Sequence, residues 1–487
     1  MRVGINMVNQ VHKFGGSSLS SADRFKSVAN IILIHAQAGD CVVVSAAGKT
    51  TDTLVKLWQS YQQQDPQAIA DIILLLSNHQ SVLIEQLLIS SAKHEALRIL
   101  ATELSTITQQ AKQGTLAEAW LLAHGELWSA RLLSAYLEQL NVSACAHDAR
   151  QLFTIDAGQL QHANNQQQCL KAIDTSKINV VTGFIAANLL HETVTLGRNG
   201  SDYSATLLAR YCNAKKVSIW TDTQGVFSTD PRKVANAVKY ARVCREQANL
   251  LARLGNPVLH AKTLSPLKGT DIELIVCSSY DLQGSHTEIV KPGMSKQKRF
   301  LTTINNVDLL TVDDLSEGEV AHASQLIQHS LHHFEQAGEI YLVVPASTTY
   351  QLVNYFAGRA NISESNLNGV AIIASEQDIA TLGKQSAALL QGQSIQPRFT
   401  HFGEDYTLLL TDQVLESDVL SLLHDKLINK AQEIALIIAG LGNVGAEFMR
   451  QLPAQLARLS SDFNVKLVAL LRSEQMLVNA NGLDCEN

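Results

Sequence analysis

The sequence predicts an α/β fold in which a mostly parallel sheet is covered by helices. A continuous apolar run of the kind that forms a buried parallel strand occurs at 41–44, the run at 178–186 is a second buried strand, and 217–220 has strand character. Segments with helical spacing separate these runs, which is the order expected of strand–helix–strand units. The first two runs lead into loops of small residues, and loops at strand ends are where open α/β sheets bind ligands.

Length and composition describe a protein of several domains without an obvious nucleic-acid or membrane partner. At about 150 residues per domain, 487 residues correspond to about three domains. The net charge of −7 includes no basic surplus, so nucleic acid is not an expected partner. Seven scattered cysteines without a C-x-x-C pair predict neither a disulfide framework nor a zinc site and favour a cytoplasmic location. Neither a signal peptide nor a membrane span is predicted.

The first candidate site follows a strand near the amino terminus, in the string VHKFGGSS. Lys13 is a compact charge that can neutralise phosphoryl oxygens, while Gly15 and Gly16 allow backbone amides to approach them. Ser20 or Ser21 is predicted to cap the helix that follows. Taken alone, the K-G-G pattern is more often an exposed lysine before a turn than a phosphate site.

A second candidate loop joins a strand to a helix at 197–200, GRNG. Its glycines and the helix N-terminus, which Ser201 is predicted to cap, favour a bound phosphate or carboxylate. A plain helix cap after a glycine turn explains this string alone equally well. The strand at 217–220 then delivers Thr221 and Asp222 to its carboxyl end.

Together these strings resemble the aspartokinases of the amino-acid kinase superfamily. The similarity is carried by KFGGSS at 13–18, GRNGSDYSA at 197–205, WTD at 220–222 and GVFSTDPR at 225–232. TGF at 182–184 adds to it, as does HGE at 124–126, which is predicted to interrupt a helical segment. Two positions depart from the family, because Pro257 stands where many members have lysine and Phe227 where tyrosine is common.

The resemblance implies an amino-acid kinase fold and an enzyme that transfers phosphate from ATP, with Mg2+, to the side-chain carboxylate of L-aspartate. The product would be 4-phospho-L-aspartate, at the first step of lysine, threonine and methionine biosynthesis. The resemblance assigns catalysis to Lys13 and Asp202; substrate binding to Thr50, Glu126, Arg198 and Ser201; and ATP binding to Lys13, Gly15, Gly16, Ser17, Thr221, Asp222, Phe227 and Arg232. It assigns no residue as a metal ligand.

Sequence patterns divide the remainder into two further parts after a kinase domain at 1–298. At 299–430, short strands alternate with helical segments, including a helix-like stretch at 321–336, and the arrangement resembles a tandem ACT regulatory region. By this resemblance a homo-oligomer, dimer or tetramer, is expected to form through the ACT-like region. No effector is predicted.

The segment 431–487 resembles the start of homoserine dehydrogenase. An apolar run enters Gly440, Gly442 and Gly445 in the spacing G-x-G-x-x-G, which is the dinucleotide fingerprint when a helix follows. Arg472, at the end of the next strand, favours the 2′-phosphate of NADP. The whole chain thus resembles a methionine-associated bifunctional aspartokinase/homoserine dehydrogenase. Because such a sheet needs about six strands, an incomplete Rossmann unit without dehydrogenase activity or tight NADP binding is expected.

Two other functions remain open at this point. A catalytically silent regulatory or assembly subunit is favoured by Pro257, Phe227 and the incomplete dehydrogenase-like tail. It is opposed by the presence of four residues that the resemblance assigns to the site: Lys13, Glu126, Arg198 and Asp202. An amino-acid kinase acting on glutamate or acetylglutamate is opposed by the combination of HGE, GRNGSD and the dehydrogenase-like tail.

Overall fold

Three sheet-based units follow one another along the chain. The computed structural model describes residues 8–156, 158–256, 258–281, 286–327, 331–428, 432–459, 463–472, 475–479 and 482–483. We refer to the units built on β1–β12, β13–β18 and β19–β21 as the N-terminal, middle and C-terminal units. Pro257 lies outside the described residues.

The N-terminal unit contains most of the helices. Its strands are β1 (Gln10–Phe14), β2 (Cys41–Val44), β3 (Ala144–His147), β4 (Ile155–Asp156), β5 (Gln159–Leu160), β6 (Ile178–Thr182), β7 (Ile185–Ala187), β8 (Thr193–Thr195), β9 (Lys216–Thr221), β10 (Arg242–Cys244), β11 (Glu273–Ser278) and β12 (Thr287–Val290). Its helices are α1 (Ala22–His35), α2 (Thr50–Gln62), α3 (Pro66–Leu87), α4 (Ser90–Gln113), α5 (Glu118–Gln139), α6 (His162–Ala172), α7 (Gly200–Tyr211), α8 (Arg245–Arg253) and α9 (Ala261–Leu264).

Eight strands form the main sheet in the order β10-β12-β11-β9-β1-β2-β6-β3. Every neighbouring pair is parallel except β11 with β12, which confirms the predicted mostly parallel α/β sheet. Hydrophobic clusters cover both faces, and Val42, Val43 and Val44 of β2 are fully buried between them. Burial of each such side chain contributes about 1.5–3 kcal/mol, which explains the uninterrupted apolar run.

Two helices of this unit bear on the sequence predictions. The Ser21 hydroxyl accepts the Arg24 N–H at the start of α1, so the predicted cap is confirmed. By length and composition alone, α3 is apolar enough to cross a membrane, yet a single such helix is weak evidence because core helices of soluble proteins pass the same test. In the structure α3 packs against both α2 and α4.

The middle unit is a six-stranded antiparallel sheet in the order β14-β15-β13-β16-β18-β17. Two long strands, β13 and β16, run through both halves of this sheet. The strands are β13 (Phe300–Val312), β14 (His332–Gln336), β15 (Glu339–Pro345), β16 (Ala360–Ile373), β17 (Phe399–Phe402) and β18 (Tyr406–Thr411). The helices are α10 (Glu317–Leu326), α11 (Thr349–Tyr355), α12 (Glu376–Gly392) and α13 (Ser417–Leu423), which continues into a π-helical turn at His424–Ile428.

The helix-like stretch predicted at 321–336 is wrong in its second half. There β14 pairs with β15 along its whole length and forms an edge of the sheet. The alternation of buried His332 and Phe334 with less buried neighbours is the period of a strand, and the sheet contacts that favour it come from residues distant in sequence.

The C-terminal unit has the parallel strand–helix–strand arrangement expected from its glycine motif. Its elements are β19 (Gln432–Ala439), α14 (Asn443–Leu459), β20 (Phe463–Leu471) and β21 (Met476–Val478), with β19 parallel to β20 and β21 antiparallel. Several apolar side chains on this unit are exposed, among them Ile437, Phe448 and Leu477.

Candidate active site

A buried ion pair lies at the centre of the main sheet. Lys13 is on β1, between β2 and β9, and its Nζ is 2.6 Å from Oδ1 of Asp202 in the first turn of α7. The two side chains are only 11% and 15% exposed. Because the local dielectric is lower than that of water, this pair exerts a stronger field than a surface pair would. The structure thus brings together the two residues predicted to be catalytic.

The first glycine loop fits tightly against the loop after β2. A Cβ atom on Gly16 would lie 2.9 Å from the Ala46 carbonyl oxygen, and the Gly48 N–H donates to the Gly16 carbonyl over 3.0 Å. A Cβ atom on Gly15 would lie 3.3 Å from Nζ of Lys13. Glycine is therefore needed here for close approach of backbone to backbone and to the lysine.

The second glycine loop reaches the same place from the other side. Asn199 has φ 55° and caps α7, which begins at Gly200, so the prediction that Ser201 caps this helix is wrong. Ser201 is instead buried in the first turn, against Gly183, where an added Cβ would lie 2.5 Å from the serine Oγ. Arg198 is exposed on the loop beside this helix N-terminus. A helix start with exposed positive charge favours an anionic ligand.

Glu126 lies inside α5, which runs without interruption through the HGE string. The predicted interruption is wrong because Gly125 is a packing residue: its Cβ position lies 2.7 Å from Cβ of Ala46. The Ala46 N–H donates to Oε1 of Glu126 over 3.2 Å, while Oε2 is buried without a hydrogen-bond partner among the described residues. Burial raises the pKa of Glu126 to about 8. Such a carboxyl group can receive a cationic ligand group.

Thr50 lies next to Gly125, and its hydroxyl is already engaged. Its hydroxyl donates to the Ala47 carbonyl over 2.6 Å and accepts the Gln80 side-chain amide over 3.1 Å. Thr50 is 2% exposed, so its visible contribution is to hold the loop after β2.

The residues assigned to the ATP side follow β9. Thr221 donates its hydroxyl to Asp222, and the Thr221 carbonyl accepts the Ser279 N–H over 2.8 Å. Phe227 lies in a short antiparallel bridge with Lys239. Arg232 is exposed and makes two side-chain hydrogen bonds of 3.0 Å with Asp230. Thr221 ends β9 and the other three residues lie in the segment that follows it, and none of the four is fully buried in the core.

Sequence reasoning missed the contacts that hold Ser17, which is exposed at the end of the first glycine loop. The Tyr280 hydroxyl donates to the Ser17 carbonyl over 3.2 Å, and the Arg24 guanidinium lies 3.6 Å from the centre of the Tyr280 ring. Arg24 also donates to the Ser279 carbonyl over 2.8 Å. No local signal could have found this cluster, because its partners lie more than 250 positions apart in sequence.

Lys262 supports the second glycine loop. Its Nζ donates to the Leu196 carbonyl over 2.7 Å and lies 4.9 Å from the centre of the Tyr203 ring. Burial lowers the pKa of Lys262.

The glycine motif of the C-terminal unit has the compact turn its spacing predicts. Gly440 has φ 98°, and a Cβ on Gly445 would lie 2.1 Å from the Gly440 carbonyl oxygen. Gly442 accepts the Ala446 N–H at the start of α14. Arg472 follows β20, and its N–H donates to the Gln475 carbonyl. The assignment of these residues to NADP stays a prediction.

The fold and the site together define the class of protein. A helix-covered parallel sheet, with two glycine-bearing loops that meet over a lysine–aspartate pair, is suited to binding phosphate groups and a small substrate. The chain belongs to the amino acid kinase family, whose profile matches residues 10–278.

Curated relatives extend the similarity along nearly all of the chain. The bifunctional aspartokinase/homoserine dehydrogenase 2 of Escherichia coli strain K12 is 31% identical over 511 aligned residues, covering 98% of this chain and 62% of the relative. The chloroplastic bifunctional aspartokinase/homoserine dehydrogenase 2 of Arabidopsis thaliana is 26% identical, covering 99% of this chain and 58% of the relative. The chain therefore spans about three fifths of the length of these relatives.

Solved structures agree with the fold. E. coli aspartokinase III in complex with aspartate and ADP matches with a TM-score of 0.71 and 26% identity, covering 86% of this chain and 99% of that one. The same enzyme in complex with lysine and aspartate gives a TM-score of 0.64 at the same identity and coverage of this chain.

Proposed function

We propose that this chain is an aspartate kinase, which converts ATP and L-aspartate into ADP and 4-phospho-L-aspartate. The observation that carries the proposal is the Lys13–Asp202 pair, held where two glycine loops meet beside the buried Glu126 carboxyl group. The relatives named above support it, since one similar structure contains both aspartate and ADP.

The reaction needs no protein nucleophile. An oxygen of the aspartate side-chain carboxylate attacks the γ-phosphorus, the bond from that phosphorus to the bridging oxygen breaks, and ADP leaves with the electron pair. Catalysis then consists of positioning and charge neutralisation. Lys13 neutralises negative charge on the phosphoryl oxygens, and Asp202 holds its ammonium group in place through the 2.6 Å contact.

Two residues on different elements recognise the two charged groups on the α-carbon of aspartate. Glu126 pairs with the α-ammonium group, which would satisfy its unpartnered Oε2. Arg198 binds the α-carboxylate with two parallel N–H groups, and the start of α7 next to it favours the same negative charge. Thr50 and Ser201 act by shaping the loops, given their buried positions.

On the nucleotide side, Gly15, Gly16 and Ser17 supply backbone N–H groups to the phosphates. Thr221, Asp222, Phe227 and Arg232 line the loops beyond β9 that face the remainder of the nucleotide. This division places ATP and aspartate on opposite sides of Lys13.

Mg2+ is proposed as the cofactor, held mainly by the phosphates of ATP. The described residues contain no group of three or more His, Cys, Asp or Glu side chains able to hold a metal ion. Mg2+ commonly binds through one or two carboxylates, water and substrate phosphates, and Asp202, which contacts Lys13, is the carboxylate that could contribute. When bound, Mg2+ neutralises charge on the phosphate oxygens.

An assay of ADP release with aspartate and glutamate side by side tests the proposal. Aspartate should support turnover and glutamate should not. Lys13→Met should lower kcat by about 10²-fold or more, with a smaller change in the KM for aspartate, as expected when a preorganised charge is removed. Lys26→Met, on the exposed face of α1, is the matched control. Turnover with glutamate alone would indicate a different amino-acid kinase, and no turnover with either would indicate a silent subunit.

A further inference from the structure

The loop that carries Phe227 and Arg232 is anchored in a different unit from the rest of the site. Residues 226–240 form a hairpin, here called the nucleotide-side hairpin. Its two arms are joined by the Ser228 N–H donating to the Val238 carbonyl over 2.8 Å and the Tyr240 N–H donating to the Val226 carbonyl over 3.0 Å. On one side, Val226 and Tyr240 are tied to the N-terminal unit through the Thr287 hydroxyl.

On its other side the hairpin enters the hydrophobic core of the middle unit. Val234, at the hairpin tip, is fully buried and belongs to a cluster whose other buried members all lie between 301 and 428. That cluster includes Leu301 on β13 and Leu420 and Leu423 on α13. A valine supplied by one unit to the core of another acts as a packing anchor, because interiors are close-packed and its withdrawal would leave a cavity.

Hydrogen bonds fix the hairpin at the same junction. The buried Ser228 hydroxyl is 2.8 Å from Nε2 of His424, and it also accepts the Val238 N–H over 2.9 Å. The Leu301 N–H donates to the Ser228 carbonyl over 2.8 Å. Burial lowers the pKa of His424, which keeps the imidazole neutral and suited to a partner without charge.

Other side chains of the hairpin also form hydrogen bonds with the middle unit or its start. Lys233 donates to the Thr303 hydroxyl over 3.2 Å, and the Asn236 side-chain amide donates to the Asp425 carboxylate. The Tyr240 hydroxyl donates to the Arg299 carbonyl over 2.7 Å. The hairpin therefore cannot shift without a change in the packing of the middle unit.

We propose that Val234, Ser228 and His424 are positioning residues: through them the middle unit holds the nucleotide-side hairpin and sets the affinity for ATP, while aspartate affinity is left unchanged. The inference rests on the proposed function for the identity of the nucleotide. Phe227 and Arg232 lie on the held hairpin, whereas Glu126 and Arg198 lie on elements that the anchor does not include. A change in packing around α12 or α13 would therefore affect the ATP-binding residues before the aspartate-binding residues.

Val234→Ala in the full chain is the test, with Val344→Ala as the matched control. Val344, on β15, is equally buried but belongs to a separate hydrophobic cluster of the middle unit. For Val234→Ala, we expect the KM for ATP and the Kd for ADP by calorimetry to rise about tenfold, the effect of a loss of about 1.4 kcal/mol. The KM for aspartate should stay within about twofold, and Val344→Ala should leave all three constants within about twofold.

An unchanged ADP affinity in folded Val234→Ala would overturn the proposal, as would equal weakening by Val344→Ala. If Val234→Ala does not fold, His424→Leu and His424→Gln decide the matter. The leucine variant should weaken ADP binding, and glutamine, whose amide can occupy the place of Nε2, should restore much of it; equal affinities for the two would refute the role of His424.

The proposed aspartate kinase function and the proposed anchoring of the hairpin can be refuted independently of each other. A wild-type chain that binds ADP but does not phosphorylate aspartate contradicts the proposed function and leaves the anchor testable by ADP affinity. Retained aspartate phosphorylation with no effect of Val234→Ala contradicts only the anchor.

Discussion

Glu126 provides the sharpest test of the proposed substrate site. Burial raises its pKa to about 8, so the carboxyl group of the free protein is mostly protonated at pH 7. Binding of an ammonium group favours the charged carboxylate, so aspartate should displace this proton. With a pKa of 8, about ten elevenths of the molecules carry the proton at pH 7 and half carry it at pH 8. Aspartate binding should therefore release about 0.9 proton at pH 7 and about 0.5 at pH 8.

The same equilibrium sets the sign and size of the pH dependence. Ionising Glu126 before binding costs about 1.4 kcal/mol at pH 7 and about 0.4 kcal/mol at pH 8. Because the protonated form predominates below the raised pKa, aspartate affinity should increase about fivefold between pH 7 and pH 8 and level off above that.

Calorimetry in buffers of different ionisation enthalpy measures the proton count directly. Glu126→Gln, which is similar in size and cannot ionise, is the matched control and should bind aspartate weakly with the proton release removed. If the wild type releases no proton at pH 7, or if Glu126→Gln releases the same number, Glu126 does not bind the ammonium group.

Three further predictions concern the loops around the site. Arg198→Lys should raise the KM for aspartate about tenfold with a smaller effect on kcat, because an ammonium group cannot make two parallel hydrogen bonds to a carboxylate; unchanged aspartate binding by calorimetry would contradict the assignment. Gly183→Ala places a Cβ 2.5 Å from Ser201 and should cost about 1–3 kcal/mol of stability, seen as a lower unfolding temperature, together with weaker turnover. Gly318→Ala is the matched control, because a Cβ there would meet open space and Gly318 does not have a positive φ. Gly114→Ala is unsuitable, because Gly114 has φ 73° and any side chain there would strain the backbone. Tyr280→Phe removes only the hydrogen bond to Ser17 and should raise the KM for ATP about two- to fivefold, the effect of about 0.5–1 kcal/mol, and an unchanged KM would exclude a role for this contact.

Several features of the fold could be predicted from sequence because their causes are local. Cys41–Val44 forms the buried parallel strand that its apolar run indicates, and Ser21 caps α1. Gly15 lies beside the Lys13 ammonium group and Gly16 packs on the loop after β2, as the glycine pair in KFGGSS suggested. Local pattern was misleading where packing decided the outcome: Gly125 lies within an unbroken helix because it packs on Ala46.

Taken by itself, the sequence determined which residue types occupy the strand ends, and hence the class of chemistry. Apolar runs, glycines before helices and the resemblance of the motifs all follow from the order of residues along short stretches. This order was sufficient to predict a mostly parallel sheet and a phosphate-binding edge, because strand periodicity and glycine sterics act over a few residues.

Only the tertiary structure decided how those residues are held and charged. The raised pKa of Glu126 results from its burial where α5 packs against the loop after β2, and the anchoring of Val234 results from a core built by residues at 301–428. Arg24 lies against the Tyr280 ring although the two are far apart in sequence. Desolvation and packing depend on every atom that surrounds a side chain, and most of those atoms come from distant parts of the chain.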